Sequence, residues 1–172
     1  HGFYHVVIVN GNRIANLQPL EIAAVQLQNK TGARVAVIDT GLIARTEIRS
    51  ICEADDGGLD HAGEAETSFA MYRRFSDVDP AAVTSRTVNA DSGELTYPIV
   101  LDPSDNRNAV SLIETPNQYL KSHGLSGYHG DPTCASPEKG KAMVDAISTN
   151  LAKFLKEFAT LDVADVNVEV PT

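Results

Sequence analysis

The segment DHAGEAETS, residues 60–68, holds the densest group of side chains that could do chemistry. It brings the imidazole of His61 together with the carboxylates of Asp60, Glu64 and Glu66. If the segment is helical, Glu66 lies about one turn beyond His61, and the two side chains converge on one point. A carboxylate can bind zinc, manganese or magnesium, and an imidazole transfers protons near neutral pH. The alternative is an ordinary helix N-terminus, where acidic residues complement the helix dipole.

A second candidate is the segment NGNRIAN, residues 10–16, which follows an apolar strand and precedes a helix. In open parallel sheets the ligand crevice lies at the carboxyl ends of the strands, so we expect this loop to face it. Asn12 and Asn16 would offer amide groups, and Arg13 could bind an anion. The alternative is a polar turn in which Asn16 caps the helix. The spacing fits neither GxGxxG nor GxxxxGK[ST], which excludes the common phosphate loops.

The triplet Asp39-Thr40-Gly41 also follows an apolar run, and it resembles the aspartic-protease triplet. That chemistry needs two such carboxylates sharing a proton in a β-rich protein. Here a single copy leads into a helix, so we interpret it as a strand-end turn. Its position nevertheless faces the same crevice.

Apolar runs alternate with helical patterns over the first 53 residues. The runs Val6–Val9 and Val35–Ile38 are typical of strands buried on both faces, which is the habit of parallel sheets. Between them we predict a helix capped by Asn16, with Pro19 in its first turn. A further helix is expected over residues 42–53. This alternation of strands and helices predicts a mostly parallel sheet.

The C-terminal half contains one strong helix signal. Ser136 is a typical N-cap, Pro137 suits the first helical position, and apolar residues then recur at three- and four-residue steps through Phe158. We attribute that apolar stripe to core packing. Weaker patterns predict a helix over residues 62–74, an edge strand at 97–101 and a terminal strand at 166–170.

Composition limits the class of protein. The 172 residues suit a single domain over residues 1–172, and the net charge of −9 argues against binding to nucleic acid or to anionic membranes. No run of apolar residues is long enough to span a bilayer. The two cysteines, Cys52 and Cys134, form neither a CxxC motif nor a disulfide framework, which favours a cytoplasmic location.

Three stretches resemble the creatininase (creatinine amidohydrolase) family. The opening HGFYHVVIVNG is similar to the strand that leads into the family's NGHGGN-type loop. DHAGEAETS resembles the HAGxxETS signature, and SGYHGDPTCASPEKG, residues 126–140, resembles the GxxGDPxxAxxEKG loop. They occur in the family's order and correspond to the C-terminal part of a typical member.

The resemblance implies an α/β fold, a three-layer sandwich with a mostly parallel sheet flanked by helices, and a metal-assisted hydrolase site. It assigns a metal-ligand role to Glu66 and proton transfer to His61, with Asp60 as an acidic neighbour. The ion would be zinc or manganese, in one or two copies. We expect substrate contacts from Asn12, Arg13, Asn16 and Glu64.

Two departures from the family pattern affect the expected metal site. Asn12 stands where the family loop supplies a ligand histidine, and a neutral amide is a poor zinc ligand. Further ligands of the family come from an N-terminal part that this chain, which begins at His1, lacks. We therefore expect a companion N-terminal chain or segment. The resemblance and an otherwise exposed sheet edge also favour a homo-oligomer.

Three functions remain open at this stage. The first is a metal-dependent hydrolase of a small polar cyclic substrate, through a cyclic amide or related C–N bond. The second is a ring-opening hydrolase of a keto-cyclitol (inosose-like) substrate. The third is a non-catalytic binding or scaffold subunit that has lost the metal site.

Overall fold

The computed structural model describes residues 2–54, 58–74, 77–83, 115–118 and 130–163, with the backbone alone for residues 13–15. The elements are β1 (His5–Asn10), α1 (Arg13–Thr31), β2 (Arg34–Asp39), α2 (Thr40–Ile43), α3 (Arg45–Ile51), α4 (Glu64–Arg74), a 3₁₀ helix (Pro80–Ala82) and α5 (Pro137–Phe158). The predicted strands at 97–101 and 166–170 lie outside the described residues. Among the described helices, none combines the length and apolar character that a bilayer crossing requires.

Strands β1 and β2 pair in parallel, with α1 as the connection between them. The register runs from His5 opposite Arg34 to Asn10 opposite Asp39, so both strands end at one edge of the sheet. The Thr40 hydroxyl donates to the carbonyl of Asn10 over 3.2 Å, which ties this edge together. The combination of helices with a small parallel sheet agrees with the predicted α/β class. The three-layer sandwich stays a prediction, since within the described residues the sheet has two strands.

The prediction that both strands are buried on both faces is wrong, since one residue of each strand is buried and the others are half-buried or exposed. Val9 is 51% exposed, and most other residues of β1 are half-buried. Within the described part of the chain, β1 has one neighbouring strand and receives few contacts from α1. An apolar run therefore identified the strand correctly but overstated its burial.

Helix α1 begins earlier than the sequence predicts, and Asn16 is not its N-cap. The backbone N–H of Asn16 donates to the carbonyl of Asn12 over 3.3 Å, which is the first bond of the helix. The side chain of Asn10 stabilises this early start by bonding both the carbonyl (2.9 Å) and the N–H (3.2 Å) of Asn12. Pro19 consequently lies in the helix interior rather than in the first turn, where it cannot donate a backbone hydrogen bond.

The single helix predicted over residues 42–53 is two short helices, α2 and α3, that meet at Ala44. Asp39 causes the early start of α2, because its Oδ1 atom accepts a hydrogen bond from the N–H of Leu42 over 2.9 Å. Ala44 is fully buried, and its non-helical backbone (φ −128°, ψ 28°) separates the two helices inside the core.

The core lies where α3, α4 and α5 meet. Its fully buried members are Ala44, Ile48, Ala65 and Met143. Helix α5 starts as predicted, with the hydroxyl of Ser136 accepting from the N–H of Lys139 over 3.1 Å. Helices α4 and α5 approach closely at Gly140, where a Cβ atom would come within 2.6 Å of the Ser68 carbonyl carbon. This packing fixes the start of α4, which carries the candidate site.

Candidate functional site

A tight turn leads from Asp60 into α4 and holds the candidate side chains. The N–H of His61 donates to Oδ1 of Asp60 over 2.7 Å, so Asp60 fixes the backbone of its neighbour. Ala62 adopts a left-handed backbone conformation with φ of 51°, a region that costs an alanine roughly 1–2 kcal/mol. Its N–H donates to Oε2 of Glu66 over 2.8 Å, so a carboxylate in the first turn of α4 holds the residue two positions before the helix. The turn is therefore held by its own carboxylates.

The turn brings His61 and Glu66 together, as the spacing suggested. Nδ1 of His61 lies 4.0 Å from Oε2 of Glu66, and each side chain is 54% exposed. An imidazole and a carboxylate at this separation, both open to solvent, can act on one small molecule.

The loop that precedes α5 supports this turn from the other side. The N–H of Gly130 donates to the carbonyl of His61 over 3.0 Å. A Cβ atom on Gly130 would come within 2.8 Å of the backbone nitrogen of Gly63, so the two backbones are in direct contact. Two of the motif-bearing stretches, far apart in sequence, therefore form one structural unit.

Glu64 occupies a different position from its two acidic neighbours. It is fully buried, and its Oε2 atom accepts from the N–H groups of Glu53 and Ala54, each over 2.7 Å. Its Oε1 atom lies 2.5 Å from Nζ of Lys139, which also donates to the carbonyl of Cys134 over 2.8 Å. These contacts join α4, α5 and the segment after α3, and they do not support the expectation that Glu64 binds substrate.

The pKa of Lys139 reflects this setting. Burial favours the neutral amine and lowers the pKa, but hydrogen bonds and charges from Glu64 and Glu53 outweigh burial and raise it above its ordinary value. The ammonium is therefore retained as a structural charge.

A cavity of about 430 Å³ lies beside the turn, within the size range of small-molecule sites. Glu66 lines it together with Gly11 of the loop after β1, whereas the described side chains of Asp60, His61, Asn12 and Asn16 are not part of its lining. Its apolar wall comes mainly from Leu42, Leu59, Phe69, Val144 and Ile147, and its polar wall from Asp39, Thr40, Arg45, Glu66 and Ser148.

Asp39 is the cavity residue that sequence reasoning undervalued. Its Oδ1 atom caps α2, while its Oδ2 atom is buried without a hydrogen-bond partner. The available signal was its place at the carboxyl end of a parallel strand. The structure agrees with the interpretation of the protease-like triplet as a strand-end turn, because Asp39 ends β2 and caps α2.

The other predicted substrate contacts lie on the loop after β1. Asn12 and Asn16 are both exposed at the start of α1. The Arg13 side chain, like His123 and His129, lies outside the described residues.

The described residues do not fit a divalent metal ion on their own. Across residues 2–54, 58–74, 77–83, 115–118 and 130–163, no group of three or more His, Cys, Asp or Glu side chains could hold one. His61 and Glu66 supply only two potential ligands. Structural zinc sites normally use four protein ligands and catalytic zinc sites use three, so this pair would need at least one further ligand.

Comparison with known proteins places this arrangement in a family. Neither a curated protein nor a solved structure matches the chain. A family model described as Creatininase, creatinine amidohydrolase, matches residues 1–155 of the 172 and so covers both the turn and most of α5. The chain therefore belongs to the creatininase family.

Proposed function

We propose that the chain is part of a metal-dependent hydrolase that opens a small polar cyclic substrate at an amide or related C–N bond. Family membership supports a hydrolase of the amidohydrolase type. The observation that carries the proposal is the 4.0 Å pairing of His61 with Glu66 beside a cavity that Glu66 itself lines.

His61 is proposed as the general acid and base. In hydrolysis of a cyclic amide, water adds to the carbonyl carbon and the C–N bond breaks. His61 would accept a proton from the water and deliver it to the departing nitrogen, so that the imidazole is unchanged after one turnover. Asp60 would keep His61 in place through the 2.7 Å bond to its backbone N–H.

Glu66 is proposed as one metal ligand of a larger set. Its Oε2 atom is held by the N–H of Ala62, which fixes the carboxylate at the cavity wall. The described residues do not complete the set. We propose that the remaining ligands come from a companion N-terminal chain or segment, while Asn12, Arg13 and Asn16 contact the substrate.

Two substitutions test the roles of His61 and Glu66. His61→Ala should lower the turnover of a cyclic amide by about 10²–10⁴-fold, the usual share of a general acid and base. Glu66→Gln should lower both turnover and the zinc or manganese content measured by elemental analysis. Glu138→Gln is a matched control, because Glu138 is likewise an exposed glutamate in a first helical turn but does not line the cavity.

The assays use the chain together with its companion segment, with and without added zinc or manganese. Full turnover by His61→Ala would contradict the assigned proton transfer. Unchanged metal content in Glu66→Gln would remove Glu66 from the ligand set. Turnover of a keto-cyclitol, without turnover of a cyclic amide, would support the hydrolase activity but contradict the proposed substrate.

A second candidate function is a non-catalytic subunit that binds a small molecule. It is favoured by Asn12, which stands where the resemblance implies a ligand histidine, and by the lack of a three-ligand group among the described residues. A complete protein that binds no metal and shows no gain in activity on metal addition would decide for this candidate.

A further inference from the structure

The pair of His61 and Glu66 has little packing of its own to hold it in place. Each side chain is 54% exposed, so their 4.0 Å separation depends on the backbone that carries them. Part of that backbone is the first turn of a helix, and helix ends ordinarily fray because their first N–H groups have no partner within the helix. Contacts that fix the start of α4 therefore decide whether the two side chains stay together.

Glu64, the first residue of α4, makes such contacts and has no part in the proposed chemistry. Its side chain is fully buried, so it cannot contact a molecule in solvent. One carboxylate oxygen accepts from the N–H groups of Glu53 and Ala54, each over 2.7 Å, and the other lies 2.5 Å from Nζ of Lys139. All three donors come from outside α4, so the carboxylate attaches the start of this helix to the segment after α3 and to α5.

The turn that carries His61 is joined to the same part of α4. The N–H of Ala65 donates to the carbonyl of Gly58 over 3.0 Å. A Cβ atom on Gly58 would come within 3.4 Å of Cβ of Glu64, so the backbone of Gly58 lies close to the Glu64 side chain. Residues 58–63 are therefore held against the helix start that Glu64 fixes.

We propose that Glu64 is a positioning residue for His61 and Glu66. Its buried carboxylate, bound by Lys139 and by two N–H groups after α3, fixes the first turn of α4 and with it the turn at residues 58–63. The inference rests on the proposed function only in taking His61 and Glu66 as the groups that act on the substrate. Glu64 itself does not contact the substrate and acts through these two neighbours.

A double substitution separates positioning from overall stability. Replacing a buried ion pair by apolar side chains of similar volume is often neutral or stabilising. Glu64→Leu combined with Lys139→Met makes such a replacement, so we expect this double variant to unfold with a free energy close to that of wild type. It nevertheless leaves the N–H groups of Glu53 and Ala54 without their acceptor, so the start of α4 loses its attachment.

Amide hydrogen exchange is the main measurement on the double variant. We expect the amides of Ala62, Gly63 and Ala65 to exchange about tenfold or more faster than in wild type, because local opening of the turn becomes easier. Amides in the middle of α5 should exchange at the wild-type rate. Lys141→Met combined with Asp145→Leu is the matched control, because it removes an exposed ion pair of α5 in the same way. The control should leave exchange in the turn unchanged.

Turnover of the chain together with its companion segment supplies a second measurement. A small misplacement of reacting groups lowers the rate of the chemical step without removing a contact to the substrate. In the double variant kcat should therefore fall by about tenfold or more, while KM stays within about twofold of wild type. The control variant should retain both values.

Exchange in wild type gives a result that depends on no variant. The amides of Glu53 and Ala54 should open together with that of Gly63, with the same opening free energy and the same dependence on denaturant. Opening of Glu53 and Ala54 that is independent of Gly63 would overturn the proposal, and this result alone decides if the double variant does not fold. A folded double variant with wild-type exchange in the turn, or with wild-type kcat, would also overturn it.

These outcomes distinguish this inference from the proposed function. Faster exchange of the turn in the double variant of a protein without hydrolase activity would refute the proposed function alone. Hydrolysis that requires His61, in a protein whose turn exchanges normally in the double variant, would refute the role of Glu64 alone.

Discussion

Lys139 extends from the first turn of α5 to α4, and its Nζ atom lies 2.5 Å from Oε1 of the fully buried Glu64. The pair joins the start of the motif-bearing helix to the longest helix of the described chain. We expect Lys139→Met to lower the free energy of unfolding by about 3 kcal/mol, because it leaves a buried carboxylate without its counter-charge. Urea denaturation at neutral pH measures the change.

Lys141→Met is the control for that substitution. Lys141 also pairs with a carboxylate, Asp145, at 2.6 Å, but both side chains are more than half exposed. An exposed pair one turn apart on a helix contributes only about 0.3–0.5 kcal/mol. If Lys139→Met and Lys141→Met lowered the free energy of unfolding by similar amounts, burial of Glu64 would not strengthen its interaction with Lys139.

Alkaline pH should weaken the same pair. The pKa of Lys139 is raised in the folded chain by Glu64 and Glu53, against the lowering effect of burial. A raised folded-state pKa gives a contribution that is fully present below the ordinary lysine pKa of about 10.4 and lost as pH rises through the higher folded value. The stability difference between wild type and Lys139→Met should therefore shrink above about pH 10.4. A difference that stays constant in urea titrations across this range would contradict the assignment.

The close contact between the backbones of Gly130 and Gly63 predicts that Gly130→Ala strongly destabilises the chain. A Cβ atom there would come within 2.8 Å of the Gly63 nitrogen and 3.3 Å of Asp60 Cβ, and backbone atoms cannot rotate away. We expect a loss of about 1–3 kcal/mol in unfolding free energy, as for other overpacked sites, together with altered NMR signals from the His61 ring. Gly11→Ala is the control, since a Cβ at Gly11 meets nothing within 4 Å.

Ala62→Gly should be tolerated or slightly stabilising. Glycine removes roughly 1–2 kcal/mol of left-handed strain at φ of 51°, against about 0.4–1 kcal/mol for the greater freedom of the unfolded chain. Ala65→Gly provides the comparison, because Ala65 is fully buried inside α4, where glycine costs helix stability and packing. Thermal unfolding of both variants measures this; equal destabilisation would mean that the turn at Ala62 is not strained.

Local sequence signals predicted those features that depend on neighbouring residues. Ser136 as the cap of α5, the start of α4 near position 62, and the convergence of His61 with Glu66 all follow from spacing within a turn or two of helix. The parallel pairing of β1 with β2 followed from the alternation of strand and helix. For the two helix starts and the pairing of His61 with Glu66, the deciding interactions lie close together in the chain.

Features decided by distant residues were less predictable. Glu64 lies two residues from Glu66 and looks equivalent in sequence, yet Lys139, far along the chain, makes it a buried structural carboxylate. The start of α1 shifted because the Asn10 side chain stabilises the Asn12 backbone, which displaces the expected cap at Asn16. The buried, unpartnered oxygen of Asp39 likewise depends on tertiary packing that the sequence does not reveal.

Helix α5 runs unbroken for 22 residues and joins three parts of the molecule. Lys139 near its start holds α4, Val144 and Ile147 in its middle form cavity wall, and Phe158 at its end meets the ring of His5 edge-on at 5.4 Å between centroids. A molecule bound in the cavity would therefore contact the middle of α5, while the contacts of Lys139 and Phe158 hold the two ends of the helix. Ligand binding should slow amide hydrogen exchange at both ends of α5 as well as at the cavity wall. The effect should extend to His5, at the beginning of β1.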